Sequence, residues 1–310
     1  MKEQVTFKSV FYEWYRDKRN YVKVSTISSY VVTAENHLLP RFGEQTSITE
    51  QEVQDFILLK LQDGFKQKTV RDMLIVLKMV YRYGCRMGYF VTTPWEIRFP
   101  KECKKEDLEV MSILHQRRLL TYLESNINSK NIGIIICMNT GLRIGELCAL
   151  KWKDIDLRNG VLKVSHTLSR VYKVDDNDQR YTLVEESTPK TINSIRDIPL
   201  SNSLMALLKP LCKVMNKDYY IMSNSTKPIE PRSLRNHFNK ILDGLNIPRI
   251  KFHGLRHSFA TRCIESRCDY KTVSMILGHS NINTTLNLYV HPDRDQKKKC
   301  IEKMIRSMRL

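Results

Sequence analysis

Arg143, Lys190, His253, Arg256, His279 and Tyr289 occur in this order, each inside a short motif, and their types suit the cleavage of a phosphodiester. Two guanidinium groups offer planar forks to the non-bridging oxygens of one phosphate. Two imidazoles can add hydrogen bonds, a lysine can protonate a departing 5′ oxygen, and a tyrosine hydroxyl can attack phosphorus. That chemistry needs neither a metal ion nor a cofactor, and none is expected.

Arg143 lies in TGLRIGELCALKW, residues 140–152, directly after the apolar run IGIIICM at 132–138. Gly141 marks a turn there. Leu142, Leu147, Leu150 and Trp152 give a short helix an apolar face, and Glu146 falls at i+3, where it can pair with and orient Arg143. A surface Arg–Glu pair would leave the same trace. Lys190 sits in ESTPKTINSIRDIPL, 186–200, where Pro189 and Asn193–Ser194 separate two strand-like runs, TLVEE and IRDIPL. This predicts a β-hairpin with Lys190 near its tip, against the plainer alternative of a solvated loop charge.

In HGLRHSFATR, 253–262, helical spacing places His253, Arg256 and His257 on one surface. A zinc site on the two histidines is disfavoured, because Gly254 stands where a metalloprotease motif has its acid and Arg256 would set a positive charge beside the cation. His257 by itself reads as a hydrogen-bonded packing residue that supports the site. In MILGHSNINTTLNLYVHP, 275–292, Gly278 ends one helix, Asn281–Thr284 can begin the next, and Tyr289 follows ten residues after His279.

Four helices precede these motifs. Phe7, Val10, Phe11, Trp14 and Tyr15 repeat at helical spacing, and a second pattern of Ile27, Tyr30, Val31, Ala34 and Leu38 stops at Pro40. The third starts with a capping box, Thr49 with Glu52, beside a hydrophobic staple of Ile48 and Val53, and closes at Gly64. The fourth lines up Val70, Met73, Leu74, Leu77 and Tyr81, with Arg71, Lys78, Arg82 and Arg86 as an adjacent basic stripe. That stripe either tracks phosphates or is an ordinary solvated face. Residues 92–107, TTPWEIRFPKECKKED, read as an extended linker whose Lys101, Lys104 and Lys105 could lie beside a nucleic-acid backbone. After Tyr289, the stretch 296–310 is a helix with Ile301, Met304, Ile305 and Met308 on one stripe.

The 310 residues predict two domains, divided here as 1–95, a linker 96–107 and 108–310. Lys and Arg number 51 against 33 Asp and Glu, a net charge of +18 that suits a polyanion. Both regions share it: 15 basic and 11 acidic residues up to 100, then 36 and 22. Eight cysteines without a C-x-x-C pair, and acidic residues near the N-terminus, predict reduced thiols in the cytoplasm. No apolar run reaches the ~20 residues of a membrane helix.

On these motifs, over residues 140–292, the chain resembles the tyrosine recombinase, or phage integrase, family, and TPKTINSIRDIPL looks closest to integrases of temperate phages and conjugative elements. The resemblance implies a mainly α fold with a small antiparallel β-sheet, made of a helical core-type DNA-binding domain and a mixed α/β catalytic domain. It also implies that the six residues named first form the catalytic set: Tyr289 attacks phosphorus, Arg143 and Arg256 hold the phosphate, His253 and His279 add hydrogen bonds, with His253 accepting the tyrosine proton, and Lys190 protonates the 5′ oxygen. The product is a 3′-phosphotyrosyl link. Expected partners are double-stranded DNA with paired half-sites, three further copies of the chain in a tetramer joined through 296–310, and accessory bending or directionality proteins. The helical pattern begins near residue 6, which leaves no room for an arm-binding domain, so integration, excision, inversion and resolution all stay open. A relaxing topoisomerase and a DNA-binding protein without chemistry are the rival readings.

Overall fold

The computed structural model describes residues 5–92, 94–101, 109–174, 180–188, 192–289 and 294–308. They form two compact units, Met1–Glu106 with Arg170–Val184, and Asp107–Ser169 with Glu185–Leu310.

The first unit opens with α1 (Phe7–Lys18), capped by the Thr6 side chain, which accepts from the Ser9 N–H. α2 (Val24–Thr33) passes through a π-turn, Ala34–Leu38, into α3 (Leu39–Phe42). The chain therefore stays helical through Pro40 instead of stopping there. In the π-turn the Leu39 N–H reaches back to the Ala34 carbonyl, so Pro40, with no N–H to give, enters at the start of a new turn. α4 (Glu50–Gln62) begins with the Thr49–Glu52 capping box, and α5 (Gln67–Arg86) follows. Phe7, Phe11, Phe42, Phe56 and Leu77 are buried at the centre, with Phe42 edge-on to both Phe7 and Phe56. Tyr172, from the segment grouped with this unit, donates its N–H to Ser28 Oγ at 2.6 Å and its hydroxyl to Glu35 at 2.9 Å.

The second unit is built around α7 (Ser129–Thr140), which follows α6 (Ile113–Ser125). Ile132, Ile134, Ile135 and Ile136 are buried on all sides of α7, the pattern of a central helix. α8 (Ile144–Ala149) leads to β1 (Ile155–Asp156), β2 (Val161–Val164), β3 (Thr167–Val174), β4 (Arg180–Ser187) and β5 (Arg196–Pro199). Then come α9 (Asn202–Val214), α10 (Pro231–Gly244), α11 (His253–Glu265), α12 (Tyr270–Leu277), α13 (Asn283–Tyr289) and α14 (Arg294–Met308). α7 packs on α6, α8, α10 and α11.

TLVEE and IRDIPL do not pair with each other. TLVEE lies in β4, which pairs with β3, whereas IRDIPL forms β5 and pairs antiparallel with β2 in the order β1-β2-β5. The register sets Leu162 opposite Ile198 and Val164 opposite Arg196, so the buried side of β2 finds the inward side of β5. β4 ends at Ser187 and β5 begins at Arg196, a separation longer than a tight hairpin turn, with a 3-10 turn at Ile192–Ser194 inside it. On α14, Ile301, Met304, Ile305 and Met308 are 38–69% exposed. No described helix is long and apolar enough to cross a membrane.

Candidate active site

Three helix ends supply the scaffold. α7 stops at Gly141, whose φ of 65° closes the turn in the left-handed region; a Cβ there would come within 2.6 Å of Phe259 and 2.8 Å of Leu277. The chain then enters α8 at its N-cap, Arg143. α12 ends the same way at Gly278, φ 66°, and leaves the last carbonyls of a helix without intrahelical donors. Arg143 and Arg256 satisfy them: Arg143 donates to the carbonyls of Leu277 (3.4 Å) and Gly278 (3.1 Å), and Arg256 to those of Leu277 (2.8 Å) and Gly141 (2.9 Å). Cations are favoured at the negative end of a helix dipole, so the turn that precedes His279 holds both guanidinium groups. Arg256 is 1% exposed. Burial, then repulsion from Arg143, lowers its pKa to about 9, and it remains charged at neutral pH.

Glu146, 2% exposed, sits beneath Arg143 and accepts from its Nη1 at 2.8 Å and its backbone N–H at 3.0 Å. A third arginine, Arg196 of β5, grips the same carboxylate through two nitrogens, at 3.2 and 3.1 Å, and donates to the carbonyls of Ile276 (2.6 Å) and Ser194 (2.9 Å). Burial pushes the Glu146 carboxyl up, but Arg196 and Arg143 together outweigh it and hold the group below the usual carboxylate range. Three cations around one anion leave the site net positive, ready for a phosphate.

His253, His257 and His279 are all kept neutral. His253 is exposed, yet surrounding protein, followed by His257, Arg256 and Arg143, lowers its pKa to about 4. Burial, then Arg256, Arg143 and Arg196, lowers that of half-buried His279 to about 4, and its Nδ1 lies 2.8 Å from Thr285 Oγ1. The Tyr289 hydroxyl is 2.6 Å from His257 Nδ1, with the ring 8% exposed. Burial raises the phenol pKa, while Arg256 and Arg143 pull it back.

The structure thus gathers Arg143, Glu146, His253, Arg256, His257, His279 and Tyr289. Lys190 lies outside the described residues, as do Lys104 and Lys105. Arg196 and Thr285 were not singled out from the sequence. Arg196 had one available signal, because alternation in IRDIPL places it on the same strand face as buried Ile198. The described partner of the tyrosine hydroxyl is His257, the residue read as packing, and not His253. In the first unit, Lys78, Arg82 and Arg86 line a cavity of about 810 Å³ with Tyr81 and Trp95. Arg71 stands over the Phe99 ring at 4.0 Å, and Lys101 is exposed.

Residues 110–296 match the phage integrase family, and residues 6–58 match the phage integrase N-terminal SAM-like domain. A tyrosine recombinase XerC-like protein of Caldanaerobacter subterraneus subsp. tengcongensis is 29% identical over 306 residues, covering 92% of this chain and 74% of the relative. The transposase from transposon Tn916 of Enterococcus faecalis is 24% identical, covering 80% of this chain and 64% of its own length. The fold is shared with the Tn1549 transposon integrase, solved with a circular intermediate DNA, at a TM-score of 0.76 and 22% identity over 96% of this chain and 99% of that one. The chain belongs to the phage integrase family and is a tyrosine-type site-specific recombinase, an enzyme that cuts and rejoins DNA through a 3′-phosphotyrosine intermediate.

Proposed function

We propose that Tyr289 is the nucleophile and that Arg143 and Arg256 are the phosphate clamp of this recombinase, with His253 and His279 as further donors to the phosphate oxygens. Lys190 protonates the departing 5′ oxygen, and Glu146 orients Arg143. Tyrosine is a weak nucleophile at its ordinary pKa of about 10, so the two guanidinium groups must carry the charge that builds on the pentacoordinate phosphorus. One phosphodiester is exchanged for another, so no nucleotide is consumed. The observation that carries this reading is the shared anchor: Arg143 and Arg256, from different elements, both donate to the Leu277 carbonyl, two residues before His279.

In this reading, residues 1–95 are a core-type DNA-binding domain, 96–107 a basic linker and 108–310 the catalytic domain. The Arg71, Lys78, Arg82 and Arg86 stripe and Lys101, Lys104 and Lys105 contact the backbone of a duplex with paired half-sites, in the cytoplasm. Four copies assemble on two duplexes through the exposed stripe of α14, and accessory proteins bend the DNA or set direction. The deciding experiment traps the protein on a nicked suicide duplex, where the cut fragment diffuses away and the adduct accumulates. Tyr289→Phe should abolish the adduct, and an intact adduct would refute the nucleophile. Recombination between paired sites, rather than relaxation of a single circle, separates this enzyme from a topoisomerase.

A further inference from the structure

We infer that His257, rather than His253, takes the proton of Tyr289 as the phenol attacks phosphorus. The inference rests on the reading of Tyr289 as nucleophile and adds a further catalytic residue to it. His257 Nδ1 and Tyr289 Oη are 2.6 Å apart, within the reach at which a general base abstracts a proton. His253 has no such bond to the phenol among the described residues. Its ring instead meets that of His257 edge-on, with centroids 4.6 Å apart and planes at 89°. A base must be unprotonated before it acts, and burial, followed by Arg256, lowers the His257 pKa. With Nδ1 as acceptor, the ring's own proton belongs on Nε2. The charge formed by protonation also has a counterweight, since Glu109 is the anion whose field opposes the depression and is itself held ionised by Lys251.

The step balances. The Oη–H bond breaks and Nδ1–H forms; the freed oxygen pair bonds phosphorus; the P–O5′ bond breaks, and the 5′ oxygen keeps that pair and takes a proton from the acid assigned to Lys190. In rejoining, an incoming 5′ hydroxyl gives its proton back to the lysine, attacks the phosphotyrosine, and the phenolate recovers its proton from His257. The histidine is thus a returnable proton store facing the protein side of the reaction, while the lysine serves the DNA side.

The test measures single-turnover adduct formation by the full chain on a nicked duplex carrying the attachment sequence recovered from its own genomic flank. His257→Gln should slow the adduct by about 100-fold, the lower range of general base catalysis, while duplex affinity holds. Replacing the 5′ bridging oxygen by sulfur, a leaving group that needs no acid, should not rescue His257→Gln. Difluorotyrosine at position 289, which lowers the phenol pKa, should recover at least about 10 of that 100-fold in His257→Gln and little in His253→Gln. A wild-type rate in His257→Gln overturns the inference, and so does a loss that fluorination fails to relieve, which would leave only a packing role. If the glutamine variant melts early, His257→Asn is read in the same way. An adduct that survives Tyr289→Phe would instead sink the nucleophile reading, which makes the two failures distinguishable.

Discussion

Glu146→Gln probes the foundation of the site with a change of only one atom type. In the native protein one carboxylate oxygen accepts from Nη1 of both Arg143 and Arg196, and the other accepts from Arg196 Nη2 and the Arg143 backbone N–H. An amide keeps one acceptor and turns an N–H₂ toward donors, so at least two buried donors lose their partner and two guanidinium groups lose their counter-charge. Breaking a buried ion pair by changing one member costs about 3–5 kcal/mol. At roughly 2–4 °C per kcal/mol for a unit of this size, melting should fall by roughly 10 °C. Arg143 would also lose the orientation of its fork, and if it binds the phosphate as proposed, its misplacement should cost on the order of 100-fold in rate. Calorimetry or thermal circular dichroism reads the first effect, and adduct formation on the suicide duplex reads the second. A variant that melts with wild type and forms adduct at the wild-type rate would refute the claim that Glu146 organises the clamp.

Arg196→Lys keeps the charge but loses the two-pronged grip on Glu146; adduct formation should drop by about 10-fold, with a smaller melting shift than Glu146→Gln causes. Gly278→Ala puts a side chain at φ 66° and a Cβ 3.0 Å from both Arg196 Nη1 and the Asn193 carbonyl, so a loss of about 1–2 kcal/mol or more is expected in urea unfolding. Stability should also depend on acid. The folded pKa values of His253 and His279 lie near 4, below the ordinary 6.5, so below pH 6.5 the unfolded chain binds more protons. Stability is then full above that pH and declines as pH falls toward 4; for His279 the loss is at most about 3 kcal/mol, and His279→Gln should flatten the melting temperature profile between pH 7 and 5. Deleting residues 296–310 should abolish assembly on DNA in analytical ultracentrifugation, while the chain still binds a single half-site.

The features legible in the sequence are those written in local chemistry. The Thr49–Glu52 box, the glycine closures at 141 and 278 and the i+3 pairing of Arg143 with Glu146 all depend on residues within a few positions of each other, and each has the geometry its spacing implies. Long-range pairing was hidden. The partner of β5 is β2, more than thirty residues earlier, and a turn-rich stretch that reads as a hairpin tip gave no hint of that exchange. Arg196 was missed for the same reason, since its carboxylate partner is fifty residues away. The helix through Pro40 depends on a one-residue register shift that no propensity announces. For His257, spacing put the ring on the right helix face, but only the fold could set Tyr289, thirty-two residues on, against its Nδ1.

The stripe on α14 is half thioether, with Met304 and Met308 at 49% and 69% exposure. Methionine makes such a face adaptable, because an unbranched, polarizable chain conforms to surfaces of differing shape. Solvent-open sulfur also reacts with peroxide, and the sulfoxide that forms is polar and chiral. Oxidative stress would therefore turn this apolar stripe polar, while the arginines, histidines and buried tyrosine of the centre keep their chemistry. Reductase repair of the sulfoxide would restore the original surface.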